Sequence, residues 1–124
     1  MGDRISIQFV NGRDKSVVLF AHWAGESFAD EVERYIKDLN KEVPKAQCMP
    51  LERRETGTVM LDFISWLTLK GTFRSRVMKG KEWVEVGRVM SSYYIEQDEI
   101  NGDNSDNGHW IWDLASDQWH TKGG

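Results

Sequence analysis

Cysteine, proline and long hydrophobic runs are scarce in this sequence of 124 residues, which has one cysteine and two prolines. The single cysteine, Cys48, excludes an intramolecular disulfide and every cysteine-rich zinc site. Because about 18 consecutive apolar residues are needed to cross a bilayer and no such run occurs, the sequence predicts no membrane-spanning helix. The N-terminus has no apolar signal core. We therefore expect a single cytoplasmic domain over residues 1–124, with a frayed tail at 122–124.

Positive charge is absent from the C-terminal part of the chain. Between Val89 and Thr121 there is no lysine or arginine, whereas seven residues are aspartate or glutamate. The net charge of −4 argues against a protein that binds nucleic acid through its whole surface. An acidic segment of this kind favours a basic partner surface, because it imitates the charge of phosphate groups.

The short motifs of common enzyme classes are also missing. No glycine-rich phosphate-binding loop occurs, and no serine lies in a Gly-x-Ser-x-Gly elbow. Cys48 lies between two prolines without a histidine nearby in the sequence. We therefore predict no cofactor, and binding is favoured over catalysis.

Hydrophobic periodicity predicts an α+β fold. Apolar residues at helical spacing predict helices over about 27–43 and 56–70, with Ser27 as the N-cap of the first. Alternating or continuous apolar runs predict strands at 4–10, 16–21, 74–78, 82–86, 89–95 and 109–114, with a short edge at 118–121. With 82–95 counted as one strand, the order is β-β-α-α-β-β-β. It predicts an antiparallel sheet of about five strands with both helices packed on one face.

The polar segment 101–113, Asn-Gly-Asp-Asn-Ser-Asp-Asn-Gly-His-Trp-Ile-Trp-Asp, is the clearest local motif. Four of its positions match the first half of a calcium-binding EF-hand loop: Asp103, Ser105, Asn107 and Gly108. Position 12 of that loop requires glutamate and is Leu114 here. Two interpretations stay open. The segment is either a hairpin loop whose side chains bond to their own backbone, or a metal site of Asp103, Asp106 and His109.

Tryptophan is abundant, with six residues in the chain. Trp110 and Trp112 lie on one face of a predicted strand, and Ile111 lies on the other. If Ile111 is buried, the two rings form an exposed platform for a nucleobase or a cationic side chain. If the rings face the helices, they belong to the core, and we expect this of at least one of them.

These features favour a small non-catalytic binding protein whose acidic, tryptophan-rich hairpin occupies a partner. The residues assigned to this binding site are Trp110, Trp112, Asp103, Asp106, Asp113, Asp117 and His109. The alternative is a metal-assisted hydrolase in which Asp103, Asp106 and His109 supply the ligands or the base. A third hypothesis, within the binding class, is the sequestration of a nucleotide signal between tryptophan rings and the basic hairpin 74–88. It predicts a homo-oligomer with pockets between subunits.

Four segments resemble a family of small proteins encoded in phages, prophages and some archaeal genomes. They read RISIQF and NG within 4–12, SVVLFAHWAG at 16–25, TVMLDFI at 58–64 and GDNSDNGH at 102–109. The family has no established activity, so the resemblance implies no catalytic residue. It implies an accessory protein of a mobile element that acts against host defence, in the manner of an anti-CRISPR protein. The partner is then a host protein or nucleoprotein complex. The segment 72–88 fits the family pattern least.

Overall fold

The computed structural model describes residues 3–22, 25–70, 75–86, 93–100 and 102–123. Within these ranges the chain forms two helices, α1 (Ser27–Glu42) and α2 (Thr56–Lys70). The strands are β1 (Ile5–Asn11), β2 (Asp14–Lys15), β3 (Val18–Ala21), β4 (Ser75–Lys79), β5 (Glu82–Val86), β6 (Tyr93–Glu96), β7 (His109–Asp113) and β8 (Gln118–Lys122). In this part of the chain, neither helix has the length and apolarity needed to cross a membrane.

Six strands form one mixed sheet in the order β6-β3-β1-β7-β8, with β2 paired to β1. All neighbours are antiparallel except β1 and β7, which run parallel and align Ser6 with His109 and Val10 with Asp113. A parallel neighbour needs a long connection, and here the chain between β1 and β7 includes both helices. The strands β4 and β5, within the predicted basic hairpin, pair with each other in a separate antiparallel sheet.

The predicted α+β class is confirmed, and α2 occupies the predicted residues. Ser27 is the first residue of α1 and not its N-cap, because Glu26 takes that position without a capping hydrogen bond from its side chain. Lys122 pairs with Trp110 as the last residue of β8, so the predicted tail begins after it. The predicted strand residues 89–92 and Trp23 lie outside the described residues.

Both helices pack on one face of the main sheet, as predicted. The strand residues in this core are Ile5, Ile7, Phe9, Leu19, Ala21 and Trp112. Phe9 meets Phe63 of α2 edge to face, with ring centroids 5.6 Å apart. Because side chains alternate along a strand, the intervening residues lie on the opposite face. We call this the open face; it carries Ser6, Gln8, Val10, His109, Ile111 and Asp113.

Phe20 covers one end of the open face. Its ring stacks on Tyr94, with centroids 4.9 Å apart and planes 5° apart. Gly102 lies directly against the Phe20 ring, and a Cβ added at Gly102 would overlap ring atoms. Only glycine therefore lets the loop approach this ring.

This contact predicts a stability difference between two glycine positions. Gly102→Ala should lower the free energy of unfolding by about 1–3 kcal/mol, because the methyl group forces the loop away from Phe20. Gly57→Ala is the control, since no atom lies within 4 Å of an added Cβ at this position of α2. It should raise the free energy of unfolding by up to about 0.5–1 kcal/mol. Urea denaturation measures both, and equal effects would contradict the close packing at Gly102.

Candidate functional site

Asp103 and Asp106, two of the carboxylates assigned to the binding site, contact Arg4. Nη1 of Arg4 donates to Asp103 Oδ2 at 2.6 Å, and Nε donates to Asp106 Oδ2 at 2.8 Å. Hydrogen bonding to this guanidinium lowers the pKa of both carboxyls below their ordinary value. Asp103 and Asp106 thus tie the loop to the start of β1, and Arg4 offsets one of their two negative charges.

The remaining polar side chains of the loop support the hairpin-loop interpretation. The side-chain amide of Asn107 donates to the backbone oxygen of Arg4 at 3.2 Å. The hydroxyl of Ser105 donates to Asp103 Oδ1 at 3.2 Å. Among the described residues, no group of three or more His, Cys, Asp and Glu side chains has the arrangement of a metal site.

Asp113 and Asp117 also have local structural partners. Asp113 accepts hydrogen bonds from the Ala115 N–H at 2.9 Å and the Ser116 hydroxyl at 3.1 Å, which holds the turn between β7 and β8. Asp117 has a positive φ of 52° and receives Lys45 Nζ at 3.1 Å. The four aspartates assigned to binding therefore bond within the protein.

His109 lies on the open face at the centre of a hydrogen-bonded chain. Asn104 donates to the Ser6 hydroxyl at 2.8 Å, and that hydroxyl lies 2.7 Å from His109 Nδ1. His109 Nε2 lies 3.1 Å from Gln8 Oε1, and Gln8 Nε2 donates to the Ser16 carbonyl at 2.8 Å. One assignment for the neutral ring is consistent with these four contacts: Ser6 donates to Nδ1, and the ring proton is on Nε2.

Burial favours the neutral form of His109. Burial lowers the pKa of the imidazole below its ordinary 6.5, while Glu99 opposes the shift. A neutral ring accepts the Ser6 proton at Nδ1, which a protonated ring cannot do. Ser6 is fully buried, so its pairing with His109 gives it no route to a substrate.

The tryptophan rings of β7 face the helices. Trp112 lies in the core with 7 % of its surface exposed, which confirms that at least one ring of the pair is buried. Trp110 is half-buried and packs against the same core. Since Ile111 lies on the open face, the two rings do not form an exposed platform together.

Trp110 instead joins Trp119 of β8 in a groove beside α1. The two rings are nearly perpendicular, at 77°, with centroids 5.2 Å apart. The groove has a volume of about 290 Å³. Besides the two rings, the charged residues that line it are Glu26, Asp30, Glu33 and Lys122. We call this surface the Trp groove.

Hydrogen bonds from both indoles fix the walls of the Trp groove. Trp119 Nε1 donates to Glu33 Oε2 at 2.7 Å, and Trp110 Nε1 donates to the Asn107 carbonyl at 2.8 Å. Trp119 also meets the buried Trp112 edge to face, at 5.1 Å between centroids. The rings are therefore held in place before any ligand arrives.

Sequence reasoning did not assign Trp119 or the α1 carboxylates to a site. Glu26, Asp30 and Glu33 are spaced by four and three residues, which places them on one helix face. That spacing can be read from the sequence. The sequence does not show which strand this helix face contacts, because Trp119 of β8 lies more than eighty residues after Glu33.

Comparison with known proteins gives no match: neither a family model, nor a curated protein, nor a solved structure matches this chain. The resemblance to phage and archaeal proteins stays a prediction. Function therefore has to follow from the side chains described above.

Proposed function

We propose that this is a non-catalytic binding protein that captures a basic partner protein in the Trp groove. The observation that supports it is the convergence of two perpendicular tryptophan rings and three carboxylates in one groove. A lysine or arginine side chain over an indole face is attracted by the ring, and neighbouring carboxylates add to that attraction.

Among the described residues, the carboxylates that line the groove lack the ion-pair partners that Asp103, Asp106 and Asp117 have. Asp103 and Asp106 are paired with Arg4, and Asp117 is paired with Lys45. Within the described residues, Glu26, Asp30 and Glu33 form no ion pair, and Lys122 is the only cation that lines the groove. A partner cation therefore meets uncompensated carboxylates there.

The geometry also favours recognition of a defined side chain over general charge attraction. The Trp119–Glu33 hydrogen bond holds one ring and one carboxylate together, so a ligand does not have to order them. A cation over an aromatic ring contributes about 0.5–2 kcal/mol, which is too little for tight binding alone. The groove therefore acts as the anchor of a larger interface.

The partner to test first follows from the resemblance. An accessory protein of a mobile element that presents a carboxylate-lined groove suits a host defence protein with a basic nucleic-acid channel. In this proposal the groove competes with phosphate groups for the basic side chains of that channel.

No observation among the described residues favours the metal-assisted hydrolase. Asp103 and Asp106 both bind Arg4, and both ring nitrogens of His109 take part in hydrogen bonds. The nucleotide hypothesis required tryptophan rings close to the basic hairpin. In the structure, Trp110 and Trp119 lie against α1.

Charge reversal in the groove tests the proposal. A hexa-arginine peptide titrated into the protein should bind with a heat signal and shift the indole N–H resonances of Trp110 and Trp119. Combining Glu26→Lys with Asp30→Lys should weaken binding at least tenfold, because the added ammonium groups repel the peptide. Glu26, at the N-cap of α1, and Asp30, in its first turn, are both exposed, so the fold should survive.

The control combines Glu82→Lys with Glu96→Lys, two exposed strand positions outside the groove, so that the net charge changes by the same amount. We expect it to change the affinity less than twofold. If the control weakened peptide binding equally, the peptide would be attracted by the overall charge of the protein. If the indole resonances did not shift, the peptide would bind outside the Trp groove. Either result contradicts the proposed site.

A further inference from the structure

A second concave surface lies on the open face, across the sheet from the Trp groove. It is a pocket of about 410 Å³, bordered by the β1–β2 turn, the β7–β8 turn and the loop after β6. Val10 and Ile111 give it an apolar floor, and both side chains are only half-buried. Pockets of this volume are typical of small-molecule sites.

One polar side chain in this pocket is almost completely buried. Gln8 is 6 % exposed, and its carboxamide orientation is fixed by His109 on the oxygen side and the Ser16 carbonyl on the nitrogen side. A primary amide has two N–H donors and an oxygen that accepts two hydrogen bonds. Gln8 uses one donor and one acceptor position, so one of each remains for a ligand.

The direction of the hydrogen-bonded chain makes this assignment firm. The Ser16 carbonyl can only accept, so the Gln8 nitrogen faces it and Gln8 Oε1 faces His109. The ring proton is then on Nε2 and points to Gln8 Oε1. In the neutral ring Nδ1 then accepts from Ser6, and the Gln8 amide, which lines the pocket, has a fixed orientation there.

The charges at the rim exclude a strong preference for an ion. Lys15 supplies a positive charge, whereas Glu99 and Asp113 supply negative charges. Two carboxylates at the rim and a net charge of −4 disfavour a nucleic acid strand, whose phosphates need basic contacts. The ligand class is thus neutral at the part that enters the pocket.

We propose that this pocket binds the base of a free nucleoside. A heterocycle suits the apolar floor of Val10 and Ile111, and its paired donor and acceptor suit the two positions of the Gln8 amide that are unused among the described residues. Glutamine amides recognise the adenine edge in this bidentate way. The site is independent of the Trp groove, because Ile111 and Trp110 lie on opposite faces of the sheet.

The test is an NMR titration of the ¹⁵N-labelled full chain with adenosine, guanosine, cytidine and uridine. We expect at least one nucleoside, with adenosine the first candidate, to produce saturable shifts at the backbone amides of Gln8 and Ile111. Ile111→Trp fills the pocket and should weaken that binding at least tenfold. Leu61→Trp is the matched control on the exposed surface of α2, where 71 % of the side chain is exposed, and should change affinity less than twofold.

Three results would overturn the proposal. They are the absence of saturable shifts with every nucleoside up to millimolar concentration, shifts centred away from Gln8 and Ile111, and tighter binding of a single-stranded oligonucleotide than of the free nucleoside. Mapping on the unsubstituted chain decides the question even if Ile111→Trp fails to fold. Failure here leaves the Trp groove proposal unaffected, since the two experiments use different ligands and different resonances.

Discussion

Replacing Arg54 with methionine is expected to lower the free energy of unfolding by about 2–4 kcal/mol. Arg54 is 2 % exposed, and its guanidinium donates to the Val43 carbonyl at 2.7 Å, the Leu51 carbonyl at 2.8 Å and Asn40 Oδ1 at 3.0 Å. Methionine fills similar space but leaves the Val43 carbonyl and Asn40 Oδ1 without this donor, whereas the Leu51 carbonyl keeps the Arg54 backbone N–H at 3.1 Å. That loss is the source of the expected destabilisation.

The position of Arg54 explains how the protein tolerates a buried cation without a carboxylate partner. Val43 is the C-cap of α1, so the guanidinium lies at the negative end of the helix dipole. The backbone of Arg54 has a positive φ of 56°, and the side-chain amide of Asn11 donates to the Arg54 carbonyl at 3.1 Å. Arg54 therefore connects the end of α1, the connector before α2 and the end of β1.

The control for Arg54 is the adjacent Arg53→Met. Arg53 is exposed and makes a salt bridge with Glu55 at 2.6 Å, together with bonds to carbonyls of the connector. Exposed salt bridges contribute less than about 1 kcal/mol, so Arg53→Met should lower the free energy of unfolding much less than Arg54→Met does. Urea denaturation followed by circular dichroism measures both variants. Similar costs at the two positions would show that burial of Arg54 does not matter.

The second large effect is expected at His109. His109→Phe should lower the free energy of unfolding by about 2–4 kcal/mol, because Ser6 and Gln8 each lose a hydrogen-bond partner in a buried chain. His120→Phe is the control, since His120 is exposed on β8. It should change stability by less than about 0.5 kcal/mol. A cost for His109→Phe no larger than that of the control would contradict a structural role for the chain.

His109 also predicts a pH dependence with a defined sign. Because burial lowers the pKa of His109 below 6.5 in the folded protein, the unfolded chain takes up the proton first as the pH falls. The contribution of His109 to the free energy of unfolding is complete above about pH 6.5. It is lost as the pH falls towards the lower pKa of His109 in the folded protein. Asp103 and Asp106 contribute in a separate window, because their lowered pKa values affect stability only as the pH falls below about 3.8. The free energy of unfolding, measured from pH 8 to 5, should decrease in the wild type. His109→Phe should remove the part of that decrease that comes from His109.

The predictable part of the fold came from local patterns. The helix α2 and the hairpin turn at Asn11-Gly12 follow from spacing and turn chemistry within a few residues. The parallel pairing of β1 and β7 had no local signal, because it joins segments about a hundred residues apart. The same is true at the start of α2, where Asp14 Oδ2 accepts the Thr56 N–H at 3.0 Å.

The candidate sites were less predictable for a related reason. The acidic loop was recognisable as a motif, yet the side chain that pairs with both Asp103 and Asp106 is Arg4, at the other end of the chain. Nothing in the charged run 52–55 indicates that Arg54 is buried. Residue type alone does not distinguish a solvated charge from one buried against a helix end.

By itself, the sequence determined the class of the fold, the two helices and the concentration of acidic and tryptophan residues in its C-terminal part. These properties depend on composition and on periodicity over short segments. Only the tertiary structure decided which carboxylates are balanced, which rings are buried and which surfaces are concave. Those properties depend on contacts between distant segments, such as Trp119 with Glu33 and Gln8 with His109, and the physical reason is that burial and charge pairing are set by neighbours in space.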